Sequence, residues 1–468
     1  MRRPAVVAAL IVLVACDGPF VAPPPYSPGP GVPHTVTVTP DSATITKDDT
    51  LRLSAVVRDS TGAVLTGTAV AWVSADTTIA VVVNAFGTVR GRQPGRTTIR
   101  AYAGAVAGAV TVFVTPVVYL AVATGANHAC ALGNNGHAYC WGKNDDAQVG
   151  TGTSSLVEPA PRLVTLTPAL VAVTAGTAHS CALDAAGTAS CWGREVNGRL
   201  GRDGSPGDPA VPSSVVPSTP FVAIAAGGAH TCALTTSGHA LCWGAGAYGQ
   251  LGAGDTLDRN TPTQALGDFG WSTVTAGTSH TCALAASGLA ECWGANTAGQ
   301  LGDSALVNRS DPTPVSGGLL FTDISAGGLH TCAVSAELAY CWGANTQGES
   351  GSGLPDSILP QPTPVGGGLQ FRSITAGGQH SCGIAVDSTA YCWGANGSGQ
   401  LGDGTGTDRA LPVPVTGGMH YTVLRAGAAF TCGLTSTLVL YCWGDGTQGQ
   451  LGRVILGSSS VPVKVVGQ

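Results

Sequence analysis

Seven copies of a Cys-Trp-Gly triplet begin at Cys140, Cys191, Cys242, Cys292, Cys341, Cys392 and Cys442, spaced 49 to 51 residues apart. Upstream of each stands a glycine, at 125, 176, 227, 277, 327, 377 and 427. Three residues later come His128, His179, His230, His280, His330, His380 and, in the last copy, Phe430. Downstream follows Gly-Gln-Leu-Gly or a relative, as at 249–252, 299–302, 399–402 and 449–452. A period of this length constrains the fold more than any local propensity. One such unit is too small to bury both its faces and must stack on its neighbours.

Each unit reads as four short strands. The first opens on a large apolar residue (Tyr119, Leu170, Phe221, Trp271, Phe321, Phe371, Tyr421) and the second is His-x-Cys-Ala-Leu. The third is Ala-x-Cys-Trp-Gly, and the fourth is Pro-rich, as in Pro312-Thr313-Pro314-Val315. Four strands per repeat, set radially, predict an all-β chain with a seven-bladed β-propeller over 117–468. The repeats start on a first strand and end on a fourth, so each blade is expected to come from one contiguous repeat. At these motifs the chain resembles the regulator of chromosome condensation repeat family. Its local departures are Ala147-Gln148-Val149-Gly150, Gly348-Glu349-Ser350-Gly351 and Phe430.

From 34 to 116 the pattern is short alternating strands, such as Val36–Thr39 and Thr97–Ala101, with turns at Asp59-Ser60-Thr61-Gly62 and Pro94-Gly95. This spacing predicts a β-sandwich. The run Val70-Ala71-Trp72-Val73-Ser74-Ala75-Asp76, with Gly87-Thr88-Val89, resembles the bacterial immunoglobulin-like domain of group 2. The resemblance implies a spacer or adhesion module, with Trp72 in its core.

Arg2 and Arg3 precede an apolar run, Ala5 to Ala15, that is shorter than the ~20 residues of a membrane span and fits a secretory signal. Its end, Leu13-Val14-Ala15-Cys16, resembles the bacterial lipoprotein box. The resemblance implies removal of residues 1–15 and a diacylglycerol thioether on Cys16; an ordinary signal peptide is the alternative. Residues 16–33, rich in Pro and Gly, read as a semi-rigid tether. The expected location is the bacterial cell envelope, at the outer membrane or cell surface, or outside the cell. Asp17, an inner-membrane retention residue in some bacteria, leaves the leaflet open.

The other 14 cysteines fall in seven pairs, each on the second and third strands of one unit. They are Cys130 with Cys140, Cys181 with Cys191, Cys232 with Cys242, Cys282 with Cys292, Cys332 with Cys341, Cys382 with Cys392, and Cys432 with Cys442. Opposed residues on antiparallel strands lie ~4.5–5.5 Å apart, which suits a disulfide, and export supplies the oxidant. One disulfide per blade is expected, with Cys332–Cys341, one residue shorter, the most strained. Buried free thiols are the alternative. Zinc held by the His-x-Cys sets is disfavoured by export and by Phe430. The histidines are expected to be structural hydrogen bonders, the seven triplet tryptophans packing units, and the glycines bends.

Charged residues are only 10% of the chain, against ~25% in ordinary domains. Net charge is −6 and three of the 21 cations are Lys, so no basic run exists to neutralise nucleic acid. No catalytic constellation stands apart from the repeats, and neither enzyme activity nor a cofactor is expected. Residues that differ between repeats are the candidates for binding, because loops on a rigid scaffold commonly carry it. These are Asp145, Asp146, Asp203, Asp258, Arg259, Arg309, Asp408 and Arg409, with turn stabilisation as the plainer role. The expected function is a monomeric, lipid-anchored binding or adhesion protein whose partner is an extracytoplasmic protein or glycan. The alternative is a propeller that regulates another protein. It would be of β-lactamase-inhibitor type or, by family resemblance, a guanine-nucleotide exchange factor, which the compartment disfavours.

Overall fold

The computed structural model describes residues 31–166, 169–204, 207–267 and 270–468. Cys16, the signal segment and most of the 16–33 tether lie outside the described residues. The chain divides into two units, Met1–Thr115 and Pro116–Gln468.

In the first unit, Ser42–Thr46, Val106–Thr115, Gly95–Ala103 and Ala71–Ser74 form a four-stranded sheet in that order. A second sheet orders Thr50–Arg52, Thr88–Gly91 and Ala80–Val82, and Thr35–Thr39 pairs with Ser54–Arg58. The inward residues of these strands, among them Val38, Leu53, Val89, Ile99 and Val112, make one apolar core. Trp72 packs on that core partly buried, and any Cβ on Gly87 would strike its ring, at 2.8 Å.

The second unit holds, among the described residues, seven four-stranded antiparallel sheets, each from one contiguous repeat. Blade 1 is Tyr119–Thr124, His128–Gly133, Ala138–Lys143 and Val157–Leu163, paired in chain order. Blade 7 runs from Tyr421–Ala426 to Ser459–Lys464. The ring closes: Trp141 of blade 1 donates from Nε1 to the Gln450 carbonyl of blade 7, at 2.9 Å. One apolar cluster also joins Tyr119, Ala129 and Trp141 to Phe430, Leu434 and Val465. Among the described residues no strand crosses between blades to lock the ring.

The cysteines of each pair are direct cross-strand partners. Cys130 faces Cys140, Cys181 faces Cys191, Cys232 faces Cys242 and Cys282 faces Cys292. Cys332 faces Cys341, Cys382 faces Cys392 and Cys432 faces Cys442 in the same way. All seven pairs are disulfides, with Cα atoms 4.0–4.1 Å apart. The separation is shorter than the ~4.5–5.5 Å expected for opposed strands, and corresponds to the close, non-hydrogen-bonded pair of an antiparallel ladder. Such bonds are those of a chain folded in an oxidising, extracytoplasmic compartment. The expectation that Cys332–Cys341 is set apart fails: its Cα separation, 4.1 Å, is that of Cys181–Cys191 and Cys232–Cys242. The missing residue comes out of the hairpin instead. Ser335 pairs directly with Leu338, and the two turn residues take left-handed backbone, Ala336 at φ 48° and Glu337 at φ 63°.

Candidate functional site

The repeated motifs converge on the joints between blades. The Gly-Gln-Leu-Gly element of one blade receives the tryptophan of the next. Trp192 donates to Gln148 O at 2.9 Å, Trp293 to Gln250 O at 3.0 Å, Trp342 to Gln300 O at 3.0 Å and Trp393 to Glu349 O at 2.9 Å. The closing glycine of the element lies against that same indole: a Cβ on Gly302 would sit 2.7 Å from Trp342 Nε1, and one on Gly402 2.7 Å from Trp443 Nε1. The glycine is needed for this approach as well as for its positive φ. The Gln side chain turns back on its own loop, as where Gln300 Oε1 accepts from Ala298 N at 3.0 Å. Glu349 keeps the arrangement with a carboxylate, accepting from Gln347 N at 2.7 Å, and burial raises its pKa.

The same carbonyl takes a second donor. Thr281 Oγ1 donates to Gln250 O at 2.9 Å, and Ser180, Thr331 and Ser381 do likewise in their blades; Thr231 and Thr431 donate to Arg199 O and Gln400 O, where the indoles of Trp243 and Trp443 make no such bond. Each hydroxyl has one proton and has spent it there. It therefore accepts from the histidine of the preceding blade. The Nε2 distances are 2.8 Å for His128 to Ser180 and 2.9 Å for His179 to Thr231, His230 to Thr281, His280 to Thr331, His330 to Ser381 and His380 to Thr431. All six rings are thus neutral with the proton on Nε2, and each Nδ1 is buried without a partner. Burial holds the imidazole pKa down, to about 4 at His128, His230 and His330 and about 3 at His280 and His380. At His179 burial, assisted by Arg199, pushes it well below 6.5.

The expected structural role of the histidines thus takes the form of a bond across the joint. The exception, Phe430, is matched by a second exception in blade 1. Where the other blades have Ser or Thr, blade 1 has Ala129, and the phenyl ring and the methyl group share one cluster. The signal is in the sequence but requires reading the last repeat against the first.

Around the axis, six backbone bonds of 2.9–3.2 Å link successive blades, from Ala126 N to Gly176 O through to Gly378 N to Gly427 O. A Cβ on Gly125 would lie 2.2 Å from Gly176 O, so the glycine that opens each repeat lets the blades meet.

The loops between third and fourth strands carry the variable residues. Antiparallel strand order puts these loops on the same face as the axial glycines. The sequence candidates mostly hold the loops together. Arg309 pairs with Asp303 at 2.8 Å, Arg409 with Asp403 at 2.9 Å, Arg259 with Asp255 at 2.6 Å and Asp145 with Lys143 at 3.0 Å. Asp408 accepts from Asn396 N at 2.7 Å, and Asp258 from Gly246 N at 2.9 Å and Asn197 Nδ2 at 2.6 Å. Asp146 N donates to Gln148 Oε1, and Asp203 sits at φ 55°, its N donating to Asn260 O. Sequence reasoning missed the organising residue, the Asn after Cys-Trp-Gly-Ala. Asn296 Nδ2 reaches Asp303 and the carbonyls of Ala305 and Val307, while its Oδ1 accepts from Leu301 N. The blade 3 and blade 7 loops have Gly246 and Gly446 at the Asn position and are held instead by Arg259 on Asp255 and by Arg453 on Gly457 O. All these loops push aliphatic tips outward: Leu156 is 80% exposed, Val307 64%, Val454 70% and Ile455 77%, with Leu257 and Leu354 beside them in the series. No group of three or more His, Cys, Asp or Glu side chains placed to hold a metal occurs among the described residues.

Comparison with known proteins agrees with this geometry. Models of the Regulator of chromosome condensation (RCC1) repeat match residues 371–400 and 387–436. The chain is 36% identical over 149 residues to the Probable E3 ubiquitin-protein ligase HERC4 of Homo sapiens, covering 31% of this chain and 14% of that one. It is 35% identical over 147 residues to the Ultraviolet-B receptor UVR8 of Arabidopsis thaliana, covering 31% and 33%. The chain thus spans a third or less of the length of these relatives. Among solved structures, human WBSCR16 superposes with a TM-score of 0.65 at 20% identity, over 70% of this chain and 94% of that one. Yeast RCC1 (Prp20) gives 0.63 at 22%, over 74% and 85%. At these identities the structures share the fold. The RCC1-like domain model matches residues 64–383, more than half of the sequence, and the chain belongs to that family.

Proposed function

We propose that this protein is a non-catalytic binding module of the bacterial cell envelope. In this reading Cys16 carries the lipid anchor, residues 16–33 lift the chain from the membrane, and residues 34–116 are an immunoglobulin-like sandwich acting as spacer. A seven-bladed propeller head presents its loop face to an extracytoplasmic protein. The observation that carries the reading is the series of aliphatic loop tips, from Leu156 to Ile455, exposed on loops pinned by a buried Asn, by paired Asp and Arg or, in blade 7, by Arg453 on the Gly457 carbonyl. Soluble proteins seldom hold apolar side chains in a rigid exposed series without a use for them. Aliphatic tips favour a protein over a glycan, since sugar faces stack on aromatic rings and, among the described residues, Tyr248 is the large aromatic exposed in these loops.

The test is capture of envelope proteins by the full chain and by a variant carrying Leu156→Ser, Val454→Ser and Ile455→Asn. Partners lost with the tips support the reading; partners kept by both chains exclude the loop face. For the anchor, Cys16→Ser abolishes acyl labelling and releases the protein from membranes. A variant still membrane-bound disproves it.

A further inference from the structure

The first strands of the seven blades surround an axial cavity of about 420 Å³. The glycine ring constricts one end, where the space falls to about 110 Å³. The larger cavity is within the range of small-molecule sites. Its wall is Ala, Val, Ile, Thr and Ser, with two charged exceptions, Asp323 from blade 5 and Arg425 from blade 7. Both depart from the repeat. The position of Arg425 is a hydroxyl residue in four blades (Thr174, Thr275, Ser325, Thr375), where it accepts from a backbone N of the next blade at 3.0–3.1 Å. The position of Asp323 is Ala121, Ala172, Ala223, Thr273, Ser373 or Val423 elsewhere.

Backbone groups hold both charges, Ile374 N and Ile324 N at Asp323 and Leu424 O at Arg425. Asp323 Oδ2 accepts from Ile374 N at 2.9 Å, and Arg425 Nη1 donates to Leu424 O at 2.9 Å. An ionised carboxylate keeps acceptor capacity beyond two bonds, and most of the guanidinium fork remains for the lumen. The two groups form no ion pair with each other, although each feels the other's charge. Solvent reaches Arg425 through the lumen, yet the surrounding strands desolvate it and Asp323 alike, lowering the pKa of the one and raising that of the other. Two opposite charges thus face one confined space without touching, each with hydrogen-bonding capacity to spare for a molecule that spans them.

We propose that the axial cavity is a binding site for a small zwitterion of the α-amino-acid class, its carboxylate on the Arg425 guanidinium and its ammonium on the Asp323 carboxylate. The fork of Arg suits a carboxylate in two-point contact, and Asp accepts from an ammonium. The site is independent of the loop face.

Isothermal titration of the full chain with the common L-amino acids, one at a time, tests this, with acetate and methylamine as controls carrying one charge each. At least one amino acid binds, and more tightly than either control. Arg425→Thr installs the residue found at this position in three other blades, and Asp323→Asn keeps the acceptor for Ile374 N. Each variant weakens binding about tenfold or more while the melting temperature stays near that of the parent, as expected for loss of one charge-assisted contact. Absence of binding by every amino acid overturns the proposal. So does acetate binding as tightly as the amino acid, or affinity unchanged in both variants.

Discussion

Six of the seven joints between blades are polar at their centre, and one is not. From blade 1 to blade 7 each joint carries a buried His and a Ser or Thr whose hydroxyl donates to a carbonyl of the earlier blade, and in four of them that carbonyl also takes the indole. Where blade 7 meets blade 1, Phe430 faces Ala129, and only the bond of Trp141 to Gln450 O remains of that set. Directional bonds fix the angle between neighbours, so six joints set at one geometry bring the ends of the chain together. The seventh needs only to exclude water. Apolar contact tolerates small errors of position better than a buried hydrogen bond does, and the closing joint is where such errors accumulate.

The largest expected effect separating the two kinds of joint is acid unfolding. A buried imidazole with a depressed pKa stabilises the fold fully above its unfolded value of 6.5. That stability is lost as pH falls toward the folded value of about 4 or 3, because the unfolded chain then binds more protons. Five rings share these values and His179 is shifted in the same direction; with each pKa unit worth about 1.4 kcal/mol, the loss is on the order of the whole stability of a domain. Circular-dichroism melting between neutral and acid pH should show the midpoint falling steeply. The double change His280→Phe with Thr331→Ala copies the closing joint into the joint between blades 4 and 5 and should make that slope shallower; an unchanged slope removes the histidines as its cause.

Next in size is Cys282→Ala with Cys292→Ala, which opens a loop of sequence separation 10 and should cost about 3 kcal/mol in denaturant titration. The same change at Cys432 and Cys442 opens a loop of equal length, so a clearly greater loss there means that the apolar joint depends on its disulfide more than the polar joints do. Phe430→His alone should cost about 1–3 kcal/mol by burying a donor against the Ala129 methyl, and adding Ala129→Thr should recover much of it. No recovery in this double-mutant cycle breaks the pairing of the two exceptions. The smallest effect is Glu337→Gly, which relieves left-handed backbone at φ 63° and should raise stability by about 0.5–1 kcal/mol.

The repeat made the blades legible because every copy states the same strand pattern and cysteine register. What stayed hidden depends on neighbours that a linear repeat does not display. The histidine was readable as structural, but its partner stands about 50 residues downstream, in another blade. The Phe430 and Ala129 exceptions become one observation only once the ring is closed. The variable Asp and Arg were legible as loop residues. Their mutual pairing was not, because it requires each loop to fold back on itself, in blades 4 and 6 around the Asn after Cys-Trp-Gly-Ala. Arg425 and Asp323 sit in unremarkable strand positions and gain their meaning from facing a common axis.

Every polar joint runs one way, from the carbonyl and the histidine of an earlier blade to the hydroxyl of the next, joined in four of the six by its indole. A chain emerging from a translocation pore amino end first therefore presents a finished receptor before its occupant arrives, six times over. The last docking event needs no waiting donor or acceptor, only the greasy edge that the first blade has kept in reserve.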